Sequence, residues 1–259
     1  MHISSVFASG SGIGFGDPGG GLSVVFRALH ILSGITWIGL LYFFNFVQTP
    51  AFAELSDGAR SEALRKLTFR ALWWFRYAAL ATFLFGIALL GIQSKTSSGS
   101  ADYLGGASGT AILTGMLFGT TMFLNVWGII WRNQKVIIAS AESVASGGAA
   151  DPRAATLAKP AARASRCNTF FSITMLWFMV FAAHAGILYH LNSTGSTIGY
   201  WVLVLVLWAF VEASALGLIG GFDSPFNKLV FDKHKNTIWA GFGFLAVIYV
   251  VGWLLLLKP

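Results

Sequence analysis

Charge and cysteine are what this chain has least of. Only 10% of its 259 residues are Asp, Glu, Lys or Arg, against about a quarter in a soluble domain, which excludes a water-soluble globule. A single cysteine, Cys167, excludes an internal disulfide, a covalent CxxCH haem site, a self-held iron–sulfur cluster and a CxxC zinc site. Any bound cofactor must therefore be held by His, Met or backbone groups. Acidic residues are also few, giving a net charge of +7. The basic residues flank apolar runs, which is a membrane-topology pattern and excludes nucleic acid as a partner.

What is present is apolar. Hydrophobic residues make up 56% of the chain and mean hydropathy is +0.70. A bilayer-spanning helix needs about 20 apolar residues, and six runs qualify, at 22–48, 71–93, 110–131, 167–190, 198–220 and 237–257. The expected fold is an all-α integral membrane protein, a single bundle of about six transmembrane helices over 22–259. The first run should end at Thr49-Pro50, because proline disfavours helical geometry in the residue before it.

Between the runs the composition changes. Residues 1–21 hold seven glycines and no Lys or Arg, so they read as a flexible tail and not as a secretory signal. From Ser56 to Arg70, apolar Ala63, Leu64, Leu67 and Phe69 alternate with Arg60, Glu62, Arg65, Lys66 and Arg70, predicting a short interfacial helix capped by Ser56 or Asp57. Residues 94–108 form a Ser/Gly/Thr-rich connection. The Ala/Gly/Ser-rich stretch 140–160 predicts a partly mobile loop flanked by extensions of the third and fourth helices.

The connections after the first, third and fifth runs carry thirteen of the seventeen Lys and Arg residues. By the positive-inside rule both termini face outward, into the periplasm if the membrane is a Gram-negative inner membrane. That orientation gives two histidines a depth. His30 lies eight residues into the first run, roughly 12 Å along a helix axis. His184 lies six residues before His190 on an antiparallel run, roughly 9 Å from the same face.

Two histidines at one depth on different helices are a common way to hold a b-type haem, each Nε2 ligating the iron. Gly34 and the alanines flanking His184 would let a porphyrin approach, with Trp37, Tyr189 and phenylalanines as walls. The alternative is that each histidine hydrogen-bonds a neighbouring helix. Either His184 or His190 could be the ligand, since six residues separate them by about 240° around a helix. A copper site from His30, His184, His190 and Met122 or Met179 has no recognisable spacing. His2, in the tail, and His234, in a basic inner connection, read as solvated.

A second polar group lies toward the inner face: Asn45, Gln48, Arg76, Asn125, Arg132, Asn133, Gln134, Arg166, Asn168 and Glu212. It reads as inter-helix hydrogen bonding, with Arg76 or Arg132 neutralising Glu212, or as a quinone, anion or substrate site. Trp73, Trp74, Trp127 and Trp131 read as interfacial anchors.

The run from Asn125 to Lys135 (NVWGIIWRNQK), followed by Ser165-Arg166-Cys167-Asn168-Thr169 with Ser172, Met175, Leu176, Met179 and His184, resembles the membrane domain of the bacterial membrane-bound urate oxidase family. Leu29-His30-Ile31 followed by Gly34 and Trp37-Ile38-Gly39 is similar to that family's opening. The resemblance covers the first, third and fourth helices. It implies electron transfer from an oxidised substrate to a C-terminal cytochrome c domain. This chain departs from the pattern: it has no CxxCH after its sixth run, and Arg132 and Thr174 stand where prolines are expected. The implied electron acceptor is then a separate periplasmic cytochrome.

Two classes of function follow. One is a membrane redox protein holding haem b between the first and fourth helices. The other is a cofactor-free accessory subunit of a larger respiratory, photosynthetic or monooxygenase complex, its phenylalanines facing lipid or protein neighbours.

Overall fold

The computed structural model describes residues 20–96, 100–184, 190, 191 and 193–257. The glycine-rich tail through residue 19, His2, Tyr189 and the predicted run of the fourth span through 185–189 lie outside them. Among the described residues there is no strand. Six helices are long and apolar enough to cross a bilayer: α1 (Gly21–Glu54), α2 (Asp57–Ser94), α3 (Ala107–Ala145), α4 (Arg153–His184), α5 (Thr194–Ala215) and α6 (His234–Leu257). Helix is the form such runs must take, because lipid offers no partner to a free backbone N–H or C=O.

Two boundaries differ from expectation. The first helix does not stop at Thr49-Pro50 but runs on to Glu54. A π-helical turn over Phe43–Gln48 widens the backbone just before Pro50, which relieves the clash a proline ring makes with an ordinary helical turn. There Thr49 Oγ1 donates to the Phe44 carbonyl at 2.7 Å. The predicted interfacial helix is likewise not a separate element. Ser56 caps it, accepting from the Ala59 N–H at 3.4 Å, and a π-helical turn over Leu64–Thr68 carries it into the second span without a break.

In the stretch 140–160 the expected extensions of the third and fourth helices are present and run further than expected. Helices α3 and α4 extend into it as an antiparallel hairpin, leaving only 146–152 non-helical. Gly147, at φ 84°, supplies the left-handed residue that ends α3. The Ser140 hydroxyl accepts from the Asp151 N–H at 2.9 Å, and Ser143 donates to the Ala149 carbonyl at 2.9 Å. Composition suggested mobility, but these short polar side chains tie the turn to the helix before it.

Helix α4 is the central element. In its most apolar stretch 61% of residues are buried, against 17–39% for the other five. Its Met175 and Met179 lie over Gly115 of α3, where an added Cβ would come within 3.3 Å of Met179. On its other side Gly241 of α6 admits Ile173 and the Phe170 carbonyl; a Cβ there would stand 2.7 Å from Ile173 Cδ1. Small residues thus set the helix separations, as is usual where lipid removes the hydrophobic driving force. Phe118, Phe170, Phe171 and Phe244 fill the centre. Helix α5 ends at Ala215, short of the expected 220, because Gly217, Gly220 and Gly221 all take positive φ.

Candidate functional site

Helices α1 and α4 are joined directly. Tyr42 Oη and Ser172 Oγ share a hydrogen bond of 2.9 Å, and Asn45 Nδ2 donates to Ser165 Oγ at 2.9 Å. His30 and His184 each lie twelve residues from the Tyr42–Ser172 contact, toward the same end of the bundle. That is about 18 Å of helix, so the two histidines stand at one level, as the sequence suggested.

They do not face one another. Twelve residues is about a third of a turn beyond whole turns, so neither ring keeps the direction of the Tyr42–Ser172 contact. His30 turns toward α2, where its Nδ1 lies 2.8 Å from the Thr82 carbonyl. Gly86 makes room for it, since a Cβ there would come within 3.1 Å of His30 Cε1. Gly34 lies against the Thr82 methyl, 3.8 Å from a built Cβ, and Trp37 is 3% exposed. His30 and Gly34 therefore lie against α2, and Trp37 continues the same stripe of α1 one turn further on. His184 lies with Leu176 and Val180 on an exposed stripe of α4, its Nδ1 3.0 Å from the Val180 carbonyl one turn back. His190 is exposed.

The predicted inner group divides into three sites. The first is a network across α3, α4 and α5. Asn125 Nδ2 donates to Asn168 Oδ1 at 3.0 Å and to Glu212 Oε2 at 3.3 Å. Asn168 Nδ2 donates to the Met122 carbonyl at 2.9 Å, and the Cys167 thiol donates to Glu212 Oε2 at 3.3 Å. Asn168 is fully buried and Asn125 nearly so.

The second is an aromatic cradle. The Arg76 guanidinium lies 3.6 Å from the centre of the Trp131 ring, 4.8 Å from Tyr77 and 5.8 Å from Trp127, and Trp127 Nε1 donates to the Arg76 carbonyl at 3.2 Å. Trp127 and Trp131 therefore hold a cation, while Trp73 and Trp74 stay exposed as expected of anchors. The expected neutralisation of Glu212 by Arg76 or Arg132 does not occur: among the described residues neither forms an ion pair with it. Arg76 is stabilised by ring quadrupoles, and Arg132 is exposed.

The third is a clasp on the α5–α6 connection. Arg166 donates to the Phe231 and Asp232 carbonyls, while the buried Arg163 pairs with Asp232 at 2.5 Å and donates to the Asn227 carbonyl at 3.3 Å. Arg166, Arg132, Asn133 and Gln134 are thus not part of the Asn125–Asn168 network. Partly buried Gln134 keeps an Oε1 without a hydrogen-bond partner. Gln48, expected in this group, instead accepts from Thr68 at 3.0 Å.

Thr82 and Gly86 were not foreseen as site residues. The available signal was their one-turn spacing in α2, which puts a small residue and a small polar one on the same face. Among the described residues no group of three or more His, Cys, Asp or Glu could hold a metal ion. No protein-family model, curated protein or solved structure matches the chain.

Proposed function

We propose that this chain is an integral membrane redox component of the kind its resemblance to the urate oxidase membrane domain implies. On that reading His30 and His184 are the residues that would hold haem b, and electrons would pass to a separate periplasmic acceptor. The observation that supports this is shared by both imidazoles. Each engages a backbone carbonyl through Nδ1, so the proton sits there and Nε2 keeps its lone pair, the tautomer that ligating histidines adopt. Haem would supply one-electron chemistry at the outer level of the bundle.

The fit is incomplete: the donors and their level suit a haem, but the rings address different helices. The bundle lies in the bacterial inner membrane with both termini periplasmic and the 146–152 turn cytoplasmic, a reading that rests on the Lys and Arg distribution.

The test is an absorption spectrum of the detergent-purified protein, oxidised and then reduced with dithionite. A Soret band in the wild type, lost in His30→Ala, is expected. Haem-free protein from haem-replete cells sinks the redox reading.

The divergence of the two rings favours a second reading, a cofactor-free membrane subunit whose polar networks fix its helices for assembly into a larger complex. Well-folded protein without a Soret band that co-purifies with a stoichiometric membrane partner is its signature.

A further inference from the structure

Glu212 is the one acidic residue within α5 and it stands in the last turn of that helix. Its side chain is partly buried at the seam of α3, α4 and α5. Both of its side-chain hydrogen bonds fall on Oε2, each at 3.3 Å, and both come from neutral donors, the Asn125 amide and the Cys167 thiol. Among the described residues no Lys, Arg or His reaches it within ion-pair distance.

The charged groups of the packed elements are engaged elsewhere. On α4, Arg163 and Arg166 hold the connection at Asn227–Asp232. The short helix Pro225–Phe231 contributes Lys228, which is exposed. On α3 the nearest cation in sequence is Arg132, also exposed, and α6 has no charged side chain between Thr237 and Leu257. Arg76 of α2 is in its aromatic cradle.

An ionised carboxylate here lacks a counter-charge in a low-dielectric seam. It would also face the negative end of its own helix dipole. Charge neutralisation by a proton removes both penalties. We infer that Glu212, with Cys167, Asn125 and Asn168 around it, is a proton-binding site of the membrane domain. The carboxyl takes up a proton in this seam and releases it when its surroundings change. This does not rest on the haem reading and survives its failure.

Infrared spectroscopy of the whole protein in proteoliposomes tests the inference. At pH 7 a neutral-carboxyl C=O band is expected that is absent from Glu212→Gln. If that variant does not assemble, Cys167→Ser replaces the donor on Oε2, and the same band is expected to shift in frequency. Dicyclohexylcarbodiimide maps the residue. A neutral acid adds its O–H across the C=N bond and rearranges to an N-acylurea, so the peptide carrying Glu212 gains the whole reagent and nothing leaves. The adduct is expected to fall as pH rises. A wild-type spectrum at pH 7 with no neutral-carboxyl band overturns the inference.

Discussion

His30 of the first span is bound to the second span through Thr82, at 2.8 Å from Nδ1 to the carbonyl oxygen. The ring fits there because residue 86, one turn further along α2, has no side chain. Gly86→Ala places a methyl 3.1 Å from His30 Cε1, which forces the ring or the helices to move. Overpacking of this kind costs about 1 kcal/mol or more. Thermal unfolding in detergent should show that loss in Gly86→Ala and a smaller one in Gly86→Ala/His30→Ala, where the clash is gone. Equal losses in the two backgrounds would show that the glycine is not there for the histidine.

Asn168 is expected to dominate the inner network, because its side chain both receives Asn125 and donates to the Met122 carbonyl. Asn168→Ala leaves Asn125 and a backbone carbonyl short of a partner inside the bundle. The expected destabilisation is about 1 kcal/mol, in the range of hydrogen-bond losses within membranes. Unfolding in mixed micelles measures it. A double-mutant cycle with Asn125→Ala should show coupling, whereas additive losses would mean that the two amides act separately.

Trp131 should matter through its face. The Arg76 guanidinium lies 3.6 Å from the ring centre, and Trp131→Leu removes that surface while keeping an apolar side chain. A loss of about 1 kcal/mol is expected, with Trp131→Phe intermediate. If both variants unfold like the wild type, Arg76 owes its position to something other than the ring.

Asp223 lies outside the spans, where its carboxylate meets Lys159 at 2.5 Å. The hydrogen bond from Lys159 holds its pKa below the ordinary value of 3.8. A carboxyl depressed on folding stabilises the folded state above its unfolded value, and that contribution disappears as pH falls through the lowered one. Both groups are well exposed, so the effect is small and screened by salt. Asp223→Asn should leave stability at pH 7 nearly unchanged and flatten its decline in strong acid. A large loss at pH 7 would mean that this pair holds the hairpin to the α5–α6 connection.

The turn between α3 and α4 decides topology. A cysteine introduced at Ala149, in a Cys167→Ser background, should react with an impermeant maleimide only after the inner face is opened. Labelling of intact spheroplasts would reverse the assignment of inside and outside.

Much of this protein is determined by sequence alone. Scarce charge and six runs of sufficient length leave only a helical membrane bundle, because unpaired backbone is intolerable in lipid. The common level of His30 and His184 was also legible, since depth depends only on residue count and a fixed rise. Direction was not. Which way His30 points depends on whether α2 or α4 supplies a gap, and that gap is Gly86. The fate of Arg76 depends on rings in the next helix, and that of Glu212 on which cations the packing leaves within reach. A local turn such as 146–152 misleads for a related reason: its small residues look mobile until the hairpin brings Ala149 and Asp151 against the hydroxyls of Ser143 and Ser140.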